Sequence, residues 1–133
     1  MQSSIVKDYM NPAPVTVGPD CSVVEAAQII LKNKVSGTIV IDSEKNYIGM
    51  LSELDCLKAM SNALYNEGRS NPSIKVEDVM KKDTSTSSPN DALFDTVKKM
   101  LEEGQRRRPV VENNKLVGMV SCRQMLKAIN NYA

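Results

Sequence analysis

The sequence predicts an α/β fold built from two copies of one β-α-β-β-α unit. Three observations predict it. Val6-Lys7-Asp8-Tyr9-Met10 returns 70 residues later as Val76-Glu77-Asp78-Val79-Met80. Gly49-Met50-Leu51-Ser52 returns 69 residues later as Gly118-Met119-Val120-Ser121. Between these landmarks the order is kept: a short strand, a helix, then two strands. Self-similarity this regular means two like units that pack together. The first repeat spans residues 3–66, the linker 67–75 and the second repeat 76–131.

Each element follows from local chemistry. Ile5 to Met10 reads as a helical turn stopped by Asn11-Pro12, because a residue before proline avoids helical geometry. Val15-Thr16-Val17 is a short strand closed by Gly18-Pro19. Ser22 to Lys34 is a helix, with Ser22 and Glu25 at capping-box spacing. Val23, Val24, Ala27, Ile30 and Leu31 form its apolar stripe. The continuous apolar run in Thr38 to Asp42 suggests a strand covered on both faces. Tyr47 to Leu51 is the next strand, and Ser52 opens a helix reaching about Asn66.

Glu67 to Ser73 has linker composition. In the second copy Thr84 to Ser87 is the short strand. Asn90 to Glu103 is the helix, with Leu93, Phe94, Val97, Met100 and Leu101 on its stripe and Gly104 ending it. Pro109 to Glu112 and Lys115 to Val120 are strands joined through Asn113-Asn114, residues that tolerate left-handed geometry. Ser121 to Asn130 is the last helix.

Composition narrows the function. A chain of 133 residues buries roughly two thirds of its unfolded surface, and a half of it would be marginal alone. The net charge of +1 gives no global pull toward nucleic acid or membrane. Aromatic residues at 4% offer few stacking platforms for single strands. No histidine and no C-x-x-C spacing occur, so neither a zinc site nor any other metal site is expected. Cys21, Cys56 and Cys122 read as free thiols in a reducing compartment. No run approaches membrane-spanning length, and a soluble cytoplasmic protein is expected.

Enzyme constellations are absent. Without histidine there is no Ser-His-Asp or Cys-His pair. No phosphate-binding glycine loop occurs. No catalytic residue is nominated, and no cofactor is called for.

Two features remain. Gly49-x-x-Ser52-x-x-Asp55 lies at a strand-to-helix junction. Its glycine allows close approach of backbone or ligand. A hydroxyl beside free helix N–H groups can hold phosphate. A carboxylate one turn on can accept from two ribose hydroxyls. The same spacing is also a capping box, which needs no ligand, and Ser121-x-x-Gln124 fits one too. Taken alone, capping is the stronger reading. The second feature is Arg106-Arg107-Arg108 before the strand at Pro109. Such a run is usually solvated, yet guanidinium is the preferred bidentate partner of phosphate. Neutral Ser36-Gly37-Thr38 stand at the matching positions.

With the Val-x-Asp-x-Met openings, the Val40-Ile41-Asp42 and Pro109-Val110-Val111-Glu112 strands and both Gly-x-x-Ser motifs in doubled order, the chain resembles a tandem pair of CBS domains. These are regulatory modules named after cystathionine β-synthase. The resemblance covers nearly all of residues 3–131. It implies a pseudo-twofold unit with two clefts, homodimers of such pairs, and adenosine ligands: AMP, ADP, ATP or S-adenosylmethionine. It implies a first cleft of Met50, Ser52 and Asp55 with Thr84, Ser85, Arg106 and Arg107. There Asp55 would take ribose, Ser52 and the arginines phosphate, and the Thr84–Ser85 backbone the adenine edge. It implies a second cleft of Ser121 and Gln124 with Pro14, Val15, Val35, Ser36 and Gly37. Gln124 stands where the ribose-binding Asp is expected, and an amide lacks the charge that strengthens that bond. Arg123 would partly compensate there by offering a phosphate contact. One competent and one weak nucleotide site are therefore expected.

The expected protein is a stand-alone sensor, not an enzyme, that passes adenosine-nucleotide binding to an unidentified partner or to its own oligomer. The alternatives are a ligand-free interaction module and an S-adenosylmethionine binder. No nucleic-acid or membrane partner is expected.

Overall fold

A computed structural model describes residues 3–69 and 71–132. The linker residue Ser70 lies outside them. The chain forms two compact units, one from Val15–Thr84 and one from the segment up to Pro14 with the segment from Ser85 onward. They are called here the continuous unit and the split unit.

In the continuous unit, β1 (Thr16–Val17) leads into α1 (Val23–Asn33) and back to β2 (Gly37–Ile41), which β1 joins in parallel. A turn follows, in which Asp42 Oδ1 accepts the N–H groups of Glu44 and Asn46, both at 2.9 Å. β3 (Tyr47–Ser52) returns antiparallel to β2, with Gly37 opposite Ser52. Then come α2 (Glu53–Glu67) and the single turn α3 (Val76–Val79). Val17, Val23, Ala26, Ile30, Val40, Leu51, Cys56 and Val76 form the core.

In the split unit a 3-10 turn, Val6–Asp8, precedes α4 (Leu93–Glu103), β4 (Arg107–Glu112), β5 (Lys115–Ser121) and α5 (Cys122–Asn130). β4 and β5 form a hairpin closed by Asn113 and Asn114, both left-handed. Gly104 ends α4 in left-handed geometry, as its position predicts. Val6, Leu93, Met100, Val110, Val120, Met125 and Ala128 form the core.

The units do not follow the repeats, because the opening segments change places. Val76 opens the second repeat but lies in the core of the continuous unit, where its N–H donates to Cys21 O at 2.8 Å. Val6 opens the first repeat but is buried in the split unit, its N–H donating to Asp91 O at 3.0 Å. The two motif glycines receive these openings. A Cβ on Gly49 would lie 2.8 Å from both Lys81 O and Met80 Sδ. On Gly118 it would lie 2.6 Å from Met10 Sδ and 3.0 Å from Asn11 O. The close approach expected at these glycines is therefore one of the protein's own backbone and methionines.

Three expectations are corrected. Thr84 to Ser87 is not a strand: only Ser87 pairs, as an isolated bridge to Val110. α4 starts at Leu93 rather than Asn90. Ser88 and Asp91 close a turn, with Ser88 N donating to Asp91 Oδ2 at 2.9 Å, and Val6 takes the Asp91 carbonyl. Finally, the apolar stripes are split between inside and outside. Leu31 is 74% exposed and its counterpart Leu101 is 76% exposed. One residue along a helix is a rotation of about 100°, enough to carry a side chain off the sheet-facing stripe.

Candidate ligand-binding site

Ser52 ends β3 in extended geometry, which turns its side chain over the first turn of α2. Its Oγ accepts the Asp55 N–H at 3.1 Å, and Asp55 Oδ2 accepts the Ser52 N–H at 2.9 Å. The capping box is formed in full. Asp55 is 8% exposed, and its Oδ1 accepts no hydrogen bond from the described residues. A carboxylate has lone pairs for more partners than this one N–H. Capping thus leaves one oxygen able to take a ligand hydroxyl.

Around this junction the continuous unit gathers other named residues. Glu53 N donates to Ser36 O at 2.9 Å, which ties the loop before β2 to the start of α2. Met50 and Lys81 exchange both backbone hydrogen bonds at 2.9 Å. Further along, the Tyr47 hydroxyl hydrogen-bonds Thr84 Oγ1. Burial pushes the Tyr47 phenol up, and its bond to Thr84 partly opposes this. Val15 and Val35 belong to the same unit; Val15 O accepts from Ile39 N, and Val35 N donates to Ile30 O.

The split unit repeats the junction. Ser121 Oγ accepts the Gln124 N–H at 3.3 Å and Gln124 Oε1 accepts the Ser121 N–H at 2.9 Å. Cys122 N donates to Arg106 O at 3.0 Å, and Arg107 pairs in register with Ser121. Arg106 and Arg123 are exposed and Arg107 is half-buried. Of the set named from sequence for the first cleft, Met50, Ser52, Asp55 and Thr84 belong to the continuous unit. Ser85, Arg106 and Arg107 belong to the split unit, as do Pro14, Ser121, Arg123 and Gln124 from the second set.

Arg108 has a different role from its two neighbours. It is 4% exposed, and four of the five N–H groups of its guanidinium are engaged within the split unit. Nε donates to Ser87 Oγ at 2.6 Å, Nη1 to Glu103 Oε2 and Gln105 Oε1 at 2.9 Å, and Nη2 to Thr86 O at 2.9 Å. Sequence reasoning missed this. The signal was the polar Thr84-Ser85-Thr86-Ser87 run, standing where the first repeat has Val15-Thr16-Val17.

Among the described residues no cluster of three or more His, Cys, Asp or Glu could hold a metal ion. None of the described helices is long and apolar enough to cross a membrane. All three cysteines are free. Burial pushes the Cys56 thiol up, and the Asp55 charge and Cys21 add to it.

Comparison with known proteins accords with this geometry. The CBS domain model matches residues 6–62 and again 76–131. The CBS domain-containing protein YhcV of Bacillus subtilis is 31% identical over 118 residues, covering 89% of this chain and 80% of that protein. A 17.7 kDa protein of Acidianus ambivalens is also 31% identical, over 85% of this chain. The chain spans only part of some relatives: 65% of that protein, and 43% of one from Methanocaldococcus jannaschii. The crystal structure of CBSX2 in complex with AMP superposes with a TM-score of 0.84 at 28% identity, covering 98% of each chain. A doubled Gly-x-x-Ser junction, exchanged openings and a matching family model on both repeats lead to one assignment: the chain belongs to the CBS domain family.

Proposed function

We propose that this protein is a regulatory module that binds an adenosine nucleotide and passes that binding to its oligomer or to a regulated protein. The observation that carries the reading is the uncommitted Oδ1 of Asp55, nearly buried at the start of α2. The AMP complex of the similar CBSX2 supports it. The residues proposed for the first site are Met50, Ser52, Asp55, Thr84, Ser85, Arg106 and Arg107. A weaker second site uses Pro14, Val15, Val35, Ser36, Gly37, Ser121, Arg123 and Gln124. The arginines favour an anionic nucleotide over S-adenosylmethionine, whose sulfonium is a cation.

Homodimerisation belongs to the same proposal. Leu57 and Leu126, matched between the repeats, are 65% and 70% exposed, alongside Leu31 and Leu101. Leucines exposed at matched positions of both copies fit a repeated contact surface.

Thermal unfolding with AMP, ADP, ATP and S-adenosylmethionine tests the function. A ligand at about 100 times its dissociation constant adds ~2.7 kcal/mol, a rise of roughly 5–15 °C in midpoint. The expected result is a rise with an adenine nucleotide that disappears in Asp55→Ala. No rise with any of the four would leave a ligand-free interaction module.

One observation favours a second reading of the arginines. Arg106 and Arg107 are tied to Ser121 and Cys122 within the split unit, so they suit a phosphate held at the Ser121 junction. In that case Arg106→Ala abolishes the rise while Asp55→Ala keeps it.

A further inference from the structure

The segment Ser85–Ser87 has almost no sheet to hold it. In the first repeat the matching Thr16–Val17 lies in a parallel ladder with Ile39 and Val40. In the second only Ser87 pairs with Val110. Side chains replace the missing ladder, and they converge on one guanidinium. Arg108 holds Thr86 through its carbonyl and Ser87 through its hydroxyl. Gln105 accepts from Arg108 and passes its own Nε2–H to Ser85 O at 2.9 Å. Glu103 takes Arg108 Nη1 with one oxygen and the Ser85 hydroxyl with the other, each at 2.9 Å. Three consecutive residues thus draw on one buried cation and its two partners, and Ser87 is also tied through its backbone to Pro109 O at 2.9 Å and to Val111 N at 2.8 Å. At the matching position of the first repeat stands Thr38, whose buried Oγ1 has no hydrogen-bond partner among the described residues. The buried arginine therefore belongs to the second repeat alone.

We propose that Arg108 is a positioning residue for base recognition: it sets the backbone of the Ser85–Ser87 segment against the ligand's base, and does not itself touch the phosphate. This rests on the first-site reading above, in which the Thr84–Ser85 backbone meets the adenine edge. The physical case is geometric. Hydrogen bonds to a base discriminate only when donor and acceptor are held in place before the ligand arrives. A polar segment without a ladder would wander, and ordering it on binding would cost affinity. Each of the three nitrogens of Arg108 donates to a protein group, four bonds in all, and the side chain is 4% exposed, which suits it to hold the segment rather than to meet a phosphate.

The test separates base from phosphate. Binding of AMP and of ribose 5-phosphate, which has the sugar and phosphate but no base, is measured by calorimetry. Wild type, Arg108→Lys and Gln105→Ala are compared, together with amide exchange of Ser85 to Ser87 in the free proteins. Gln105→Ala leaves the buried charge in place and keeps the test valid where Arg108→Lys folds poorly. The expected result is a loss of about tenfold in AMP affinity in both variants, faster exchange in the segment, and unchanged ribose 5-phosphate affinity. Equal losses for both ligands would show general loosening and overturn the proposal. So would unchanged AMP affinity alongside faster exchange. A wild type that binds neither ligand overturns the first-site reading and this proposal together, and is told apart because it needs no substitution to appear.

Discussion

A methyl group at Gly49 has nowhere to go, since both Lys81 O and Met80 Sδ stand 2.8 Å from where it would sit. The carbonyl is backbone held by Met50 and cannot move aside cheaply. Gly49→Ala is expected to destabilise the continuous unit by about 1–3 kcal/mol, read from denaturant unfolding. Thr38 carries the opposite sign. Its buried hydroxyl lacks a partner among the described residues, and valine has nearly its shape. Thr38→Val should raise stability by about 1 kcal/mol in the same measurement. At Cys56, burial disfavours the thiolate, so its pKa lies above the ordinary 9.0 and the reactive anion is scarcer at pH 8. Alkylation at that pH should reach exposed Cys122 first and Cys56 last, with protection of Cys56 lost on unfolding. The glycines were legible in the sequence as points of close approach. What approaches them was not, because a motif shows that room is needed without showing what takes it.

At the scale of elements, caps and turns were the readable part. Ser22, Ser52 and Ser121 all cap helices through the side-chain bonds their spacing predicts. Ser52→Ala should cost about 1 kcal/mol without any ligand present, since the cap exists in the free protein. A larger loss appearing only with nucleotide bound would then report the ligand's share. The unreadable part was Thr84–Ser87. Threonine favours strands, so the run looked like one. The Ser87 hydroxyl and the Thr86 carbonyl instead turn to a buried arginine 21 and 22 residues away, a partnership no local window contains. The helix stripes were likewise half legible. Periodicity marks an apolar face but not how much of it the sheet covers, and Leu31 and Leu101 fall beyond that edge.

For the molecule as a whole, the duplication was plain in the sequence and the exchange of openings was not. Sequence similarity pairs Val6 with Val76, but it does not say which core each fills. Val6→Ala provides the check. It should cost about 2 kcal/mol, and faster amide exchange should appear in β4 and β5 rather than in β2 and β3. The exchange also changes what the stretch after α2 means. By composition it joins two repeats, and a protease cutting after exposed Arg69 divides the chain between them. The fragments would not correspond to folded bodies. The N-terminal piece keeps β1 to α2 but also carries the Val6 turn that the split unit requires. The C-terminal piece keeps α4 to α5 but also carries α3, whose Val76 completes the other core. The nicked protein is therefore an interlocked pair. Its halves come apart only when two hydrophobic cores open at once, so they should elute together under native conditions and separate only in denaturant.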